Sequence, residues 1–434
     1  MSTAVEESPL LVTSPLFGKQ APAWVKALRE EGRESFAALG VPTTRHEDWR
    51  YTNLAPLAKA TFEISPAAPF SDDVRQKVAQ LTDGKPSLVF VNGRLSPLLS
   101  TGHTDAPSPE APATSLEGLG VVLRRSPERL DGHLDAARQR DSLPFVALNT
   151  AHLADGAVVR VPKGVVVAEP IHLVFLSAGP NAAAHLRSRI ELGEGSQATI
   201  VETYLGDGPG TRFTNSVVEI SVGAGAKLTH VKLQLEGLES FHVGTHLVTQ
   251  EPDSFFASHL FSLGGRLVRN ELSTALEEGA HAGLYGLFCV RGSQHVDNHT
   301  VTDHLKPHGT SNEYYKGVLD GEARGAFDGK VIVRQNAIKT DAHQKNKNLI
   351  LSESALVDSK PQLEIFNNDV RCTHGATTGR LDPDALFYLR SRGLSIDEAR
   401  SLLTVAFARE LVDPIPVPSV KTFVEAALTG WFGT

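Results

Sequence analysis

The sequence predicts a mainly β chain with helical segments at both ends. Three observations carry this. From about Leu143, short strand-like runs such as Val158-Val-Arg-Val-Pro, Ile171-His-Leu-Val-Phe-Leu, Val217-Val-Glu-Ile-Ser-Val and Val331-Ile-Val-Arg alternate with Gly-rich turns, and no long helical periodicity interrupts them. Similar small-residue turns recur at Gly195-Ser-Gln-Ala198, Gly225-Ala-Lys-Leu228, Gly279-Ala-His-Ala282 and Glu322-Ala-Arg-Gly325. The stretch after Asp382 carries strong helix start and stop signals. Many short strands joined by such turns suit stacked β-coils as well as a sandwich. The turn spacing is irregular, so this is not a strict repeat array.

In chain order, residues 1 to about 20 read as flexible. Ala21 to Leu39 reads as a helix on Trp24, Leu28, Phe36 and Leu39, closed by Gly40. Pro42 to Leu54 reads as a surface helix–loop with two aromatic anchors. Ser87 to Asn92 is a short apolar strand ended by Asn92-Gly93. Residues 101 to 115, rich in Pro, Ala, Ser and Thr, read as a loop, and a short helix is expected near Leu130 to Arg138. These bounds give an N-terminal helical and mixed domain over 1–142, a β core over 143–376 and a C-terminal helical domain over 377–434. In the last of these, Asp382 caps, Pro383 fits the first helical position, and a short helix runs from Ala385 to Arg392 until Gly393. Ser395 to Glu398 is a capping box for a second helix, Ile396 to about Leu411, stopped by Pro414. Ala399, Leu402, Leu403, Ala406, Phe407 and Leu411 form its apolar stripe.

Composition narrows the function. The chain has 434 residues, 41% hydrophobic, with net charge −8. That charge argues against bulk attraction to nucleic acid or an anionic membrane. Cys289 and Cys372 lie far apart, with neither zinc nor disulfide spacing, which suits a reducing compartment. The N-terminus lacks a basic region followed by an apolar core, and no run of eighteen apolar residues occurs. The expectation is a soluble cytoplasmic protein. No Gly-x-Ser-x-Gly elbow, His-Glu-x-x-His or dinucleotide fingerprint is present. Gly206 to Gly210 and Gly321 to Gly325 lack the phosphate-loop ending and read as turns.

Two clusters offer chemistry. Cys372 and His374 are two apart in a turn-rich polar stretch, so on a strand both would project from one face. Arg371 beside Cys372 is expected to favour the thiolate. Nine of the seventeen histidines fall between His230 and His308. Among them His295, His299, His304 and His308 accompany Asp297 and Asp303, with a spacing that matches no metal motif. The bland reading places these groups on a solvated face. Cys289, inside Leu284-Tyr-Gly-Leu-Phe-Cys-Val290, reads as a buried inert thiol.

The segment Asn367-Asn-Asp-Val-Arg-Cys-Thr-His-Gly-Ala-Thr-Thr-Gly-Arg380, followed by Leu386-Phe-Tyr-Leu-Arg-Ser-Arg-Gly393, resembles the C-terminal signature of the SufB/SufD family, scaffold subunits of SUF iron–sulfur cluster assembly. The segment Glu47-Asp-Trp-Arg-Tyr-Thr52 resembles that family's N-terminal signature. Gly375, where SufB-type chains carry Glu, and the lack of a cysteine near Asn346 to Asn348 bring the resemblance nearer to the SufD type. It implies a right-handed parallel β-helix core with helical ends. It also implies a non-catalytic scaffold that pairs with SufB and binds the ATPase SufC through its C-terminal helices, with Phe387, Tyr388, Arg390, Arg392 and Phe407 as contacts. A transient iron–sulfur cluster would form at the SufB interface on His374, with Cys372 as second candidate. A homodimer would form without SufB, and the residues neither require nor exclude a flavin. The competing readings are a SufB-like homo-oligomeric scaffold and a β-helix enzyme, metal-dependent or carbohydrate-active.

Overall fold

The computed structural model describes residues 10–11, 21–63, 68–102, 114–134 and 143–432. Between the two architectures open to the pattern, the chain takes the coil: it is a β-solenoid of two facing sheets. One sheet has ten strands, in spatial order Arg94–Leu95, Ser87–Val91, Ile171–Ala178, Gln197–Asp207, Lys227–Leu235, Phe255–Ser262, His281–Val290, Thr310–Leu319, Asp341–Ile350 and Arg371–Gly379. The other has nine, Ser115–Gly118, Ala157–Val161, Ala183–Leu192, Phe213–Val222, Phe241–Gln250, Leu267–Leu276, His295–His304, Arg324–Val333 and Leu356–Ile365. Among the strands named above, pairing is parallel from coil to coil and antiparallel in the two N-terminal pairs.

Register turns sequence into columns. One coil takes 26 residues where Ser258 pairs with Leu284, and 31 where Glu313 pairs with Gln344. Side chains alternate between faces, so Ile200, His230, Ser258, Leu284, Glu313, Gln344 and His374 stack as one inner column. Toward the N-terminal coils the interior is apolar, with Leu173, Ile190, Ile200, Val218, Leu228 and Phe256 packed between the sheets.

The outer faces are covered as well, which is why these strands read as near-continuous apolar runs. On the ten-stranded sheet, Val231, Leu233, Phe261 and Leu287 pack beneath Ala408, Leu411 and Val412 of the helix Ile396–Val412 and Val420 and Val424 of Pro418–Phe432. Cys289 belongs to this layer; full burial raises its pKa, as befits an inert thiol. On the nine-stranded sheet, Phe213, Phe241 and Val243 pack under Trp49, Phe62 and Phe145. Each such aromatic contributes about 1.5–3 kcal/mol relative to exposure.

One ladder of turns explains the irregular repeat. Gly195, Gly225, Asp253, Gly279, His308 and Lys339 all adopt positive φ, between 56° and 67°. Each donates its backbone N–H across to the next coil, from Gly195 to Ala224 O at 2.8 Å through to Lys339 to Asp369 O at 2.7 Å. Three of the four turns visible in the sequence belong here. The fourth, around Glu322, lies elsewhere, its N–H bonded to Gly292 O at 2.9 Å.

The N-terminal part departs from expectation in places. The helix over Ala23–Leu39 and its Gly40 stop stand as expected. Instead of strand, the first residues after Leu143 form a buried helix, Pro144–Ala151, started by a proline at its first position. Leu130 to Leu134 forms turn and bend, not helix, and the rest of that expected helix lies outside the described residues, as do most of 1–20 and 101–115. Among the described residues no helix is long and apolar enough to cross a membrane.

Candidate functional site

The solenoid ends on two uncovered strands. Leu356–Ile365 closes the nine-stranded sheet and Arg371–Gly379 the ten-stranded one; the first is mostly half-buried and the second largely solvent-exposed. Among the described residues no further coil lies beyond them, so one margin of each carries backbone donors and acceptors that no described strand satisfies. The turn before the last strand is fixed by Asn367 Nδ2 to Gln335 O at 2.6 Å, Asn367 Oδ1 accepting from Asp369 N–H at 2.8 Å, and a Lys339–Asp369 ion pair at 2.8 Å.

Cys372 and His374 share the inner face of this strand, in register with Ala342 and Gln344 of the coil beneath. His374 is exposed because no coil stacks above it. Beneath it, Gln344 Nε2 donates to Glu313 Oε2 at 2.8 Å, and the Thr300 hydroxyl donates to the other oxygen of the same carboxylate. Burial pushes the Glu313 carboxyl up to about 7, against these two hydrogen bonds. The open end therefore stands over a polar interior.

Cys372 behaves differently from what Arg371 suggested. Adjacent strand residues point to opposite faces. The thiol packs half-buried against Val331, Val333, Ala342 and Leu363, and desolvation raises its pKa. Arg371 does not offset this.

The C-terminal helices are Pro383–Ser391, capped by Asp382 through Asp384 N–H at 3.0 Å, and Ile396–Val412, whose Ser395–Glu398 capping box is complete. The buried face of the longer one is Ala399, Thr404, Ala408, Leu411 and Val412, one step round from the stripe read in the sequence. Leu402 is instead half-exposed. Phe387 and Tyr388 are 75% and 57% exposed. Arg390 and Arg392 are also exposed, with Arg392 over the Tyr388 ring at 5.2 Å. Phe407 faces inward: the Lys316 ammonium lies 4.2 Å over its ring and bonds its carbonyl at 2.8 Å.

The four clustered histidines do not converge, and most are not solvated. His304 points into the solenoid, bonded to Ser311 Oγ at 3.0 Å, and His308 is a turn residue. His295 and His299 lie on the outer face and meet the Trp49 segment, which is docked, not a surface loop. Arg269 holds it: its guanidinium lies 3.9 Å over the Trp49 ring, bonds Asp48 O at 2.8 Å and pairs with Asp297 at 2.6 Å. Burial works against the Asp297 carboxylate, yet His299 and Arg269 hold it well below the usual range. Thr52 Oγ donates to the same carboxylate at 2.5 Å.

A second polar cluster, unmarked in the sequence, lies wholly inside. Glu202, His230 and His246 are buried, and their donor atoms all fall within 4.8 Å of one another. His230 Nε2 is 3.2 Å and His246 Nε2 3.4 Å from Glu202 Oε1. Tyr204 OH donates to Glu202 Oε2 at 2.8 Å, and His230 Nδ1 meets Ser258 Oγ at 3.0 Å. Burial opposes ionisation of Glu202, but the two imidazoles outweigh it and hold the carboxyl well below its ordinary value; burial takes His246 down to about 4. The signal was there only as Glu-x-Tyr and His-x-Lys alternation, which becomes a cluster once the coil register is known.

The fold and its end thus define a two-sheet β-solenoid whose last coil is uncovered and whose terminal helices lie along its outer face. The SUF system FeS cluster assembly SufBD core domain matches residues 175–407, and the SufBD protein N-terminal region matches residues 13–173. The iron–sulfur cluster assembly protein SufD of Escherichia coli is 33% identical over 90% of this chain and 89% of its own length. An iron–sulfur cluster assembly SufBD family protein of Synechocystis is 33% identical over 91% and 88%. Bacillus subtilis SufD is 26% identical over 93% and 92%. This chain belongs to the SufB/SufD family of SUF iron–sulfur cluster assembly proteins, as a SufD-type member.

Proposed function

We propose that this chain is a non-catalytic scaffold subunit that pairs with SufB through the open end of its solenoid, so that a nascent iron–sulfur cluster is built at the shared interface. One observation carries the reading: the last strand, Arg371–Gly379, is an exposed sheet edge, and His374 stands on it. An edge strand recruits a partner strand by backbone pairing, and imidazole is an occasional replacement for thiolate on clusters. The cluster is cargo here, not a resident cofactor. Cys372 is the second candidate donor, disfavoured by its raised pKa. The same edge serves a second copy of this chain when SufB is absent. The C-terminal helices bind the ATPase SufC, which carries the hydrolysis, with Phe387 and Tyr388 as exposed anchors and Arg390 and Arg392 at their rim. Phe407 supports that surface from beneath.

The test is anaerobic co-expression with SufB and SufC, followed by size analysis and iron and sulfide determination. His374→Ala should leave the complex assembled and lower the recovered iron and acid-labile sulfide, while Cys372→Ala should do less. Full cluster content in an intact His374→Ala complex would overturn the reading.

A further inference from the structure

We infer that Glu202, His230 and His246 form a binding site for one borderline divalent cation, of the zinc or ferrous class, inside the solenoid. The first argument is distance. Buried charge-assisted hydrogen bonds between imidazole and carboxylate run about 2.7–2.9 Å. This interior contains such a bond, His242 Nδ1 to Glu236 Oε2 at 2.7 Å. The contacts of Glu202 are longer, 3.2 Å to His230 and 3.3–3.4 Å to His246. Donor atoms around a tetrahedral cation with bonds of about 2.0–2.1 Å lie about 3.3 Å apart. Both imidazole nitrogens are spaced from the carboxylate as ligands are, and all three donors lie within 4.8 Å of one another.

The second argument is the support around them. His230 Nδ1 meets Ser258 Oγ at 3.0 Å, an outer partner that leaves Nε2 free to ligate. Tyr204 OH holds Glu202 Oε2 at 2.8 Å and is itself 2.8 Å from Ser216 Oγ, which aims Oε1 at the imidazoles.

Glu202 and His230 come from the ten-stranded sheet and His246 from the nine-stranded one. The ion therefore ties the two sheets together across the core, and it enters as the coils close. This site is separate from the exposed end at His374, so its failure leaves the scaffold reading untouched.

The test uses the full-length chain carrying an affinity tag without histidine. It is unfolded in guanidinium with a chelator and refolded anaerobically with Co(II) as the probe. About one equivalent of cobalt should remain after desalting, with the visible bands of a four- or five-coordinate ion, and the loaded chain should unfold at higher temperature than the metal-free one. E202Q and His246→Gln should lose the cobalt and the thermal shift, while His374→Ala should retain both. X-ray absorption of the zinc-refolded wild type should show only nitrogen and oxygen neighbours, a readout that needs no variant. Wild type that refolds without retaining cobalt, a folded E202Q that retains it in full, or sulfur in the zinc shell would each overturn the inference.

Discussion

Replacing Arg269 by Met tests how the N-terminal signature is fastened to the solenoid. Arg269 is buried, its Nη1 2.6 Å from Asp297 and its Nη2 2.8 Å from Glu271, with the Trp49 ring 3.9 Å away. Met fills much of the volume but takes the guanidinium from Asp297, leaving that buried carboxylate to the His299 imidazole at 3.0 Å and the Thr52 hydroxyl. Removing one partner of a buried pair costs about 3–5 kcal/mol, and the lost stacking on Trp49 adds about 0.5–2 kcal/mol. Against a typical total of about 5–15 kcal/mol, the substitution should remove a large share of the stability. Urea unfolding followed by circular dichroism and by tryptophan fluorescence measures it. Trp49 should additionally redden in emission before the sheet melts, because its segment loses both the stack and the Asp48 carbonyl contact.

The pH dependence supplies a sign that packing loss alone would not. The folded pKa of Asp297 is depressed, so its stabilisation is present above the unfolded carboxylate value of about 3.9 and is lost as pH falls toward the folded one. The gap between wild type and R269M should therefore narrow on acidification below about pH 4. Adding Asp297→Leu to R269M should recover part of the loss, since an apolar replacement of both partners removes the carboxylate left without its guanidinium. A single substitution costing under about 1 kcal/mol, or a gap that widens in acid, would refute the reasoning.

Further outcomes follow from the same geometry. Glu313, pushed up to about 7 by burial, is more protonated folded than unfolded, so stability should fall as pH rises from about 4.3 to about 7, by on the order of 3 kcal/mol, and Glu313→Gln should flatten that slope in urea titrations. Gly286→Ala would place a Cβ 2.1 Å from the Tyr315 ring, which is fully buried against Phe327, so a loss of about 1–3 kcal/mol is expected in thermal or urea unfolding. Phe387→Ala with Tyr388→Ala should weaken co-purification with SufC without changing the unfolding midpoint, because both rings are mostly exposed in this chain.

The solenoid was half legible in the sequence. Strand texture and three of the turns were visible because Gly195, Gly225 and Gly279 occupy the left-handed position glycine favours. The coil length was hidden because Asp253, His308 and Lys339 fill that position elsewhere, and no composition rule marks them. The capping box at Ser395 is a local device and was read correctly. Trp49 was misplaced because its burial depends on Arg269, more than two hundred residues away in sequence. The interior cluster was invisible for the same reason: Glu202 and His230 are 28 apart and Glu202 and His246 are 44 apart, and only register makes them neighbours.

The two ends of the solenoid are finished differently. At the N-terminal end the sheets finish in antiparallel pairs, and Phe145, Leu148 and Trp49 belong to an apolar layer over the nine-stranded sheet. Toward the other end the inner columns change character, from Leu284 and Phe288 to Gln344 and Asn348, and then to His374 and Thr378. Repeat proteins need a polar cap to stay soluble at such an end, and the helices after Gly379 are long enough to supply one. They turn back instead: Ala408, Leu411 and Val412 pack on the outer face of the ten-stranded sheet, anchored by the Lys316–Glu410 ion pair. The chain thus spends its terminal helices on a lateral surface and leaves the last coil uncovered. Its edge carries Arg371, with Lys345 and Lys347 on the strand beside it, charges that discourage indiscriminate strand pairing. That end is polar inside and charged at its margin, and among the described residues no helix covers it, which is the arrangement the proposed pairing with a selected partner requires.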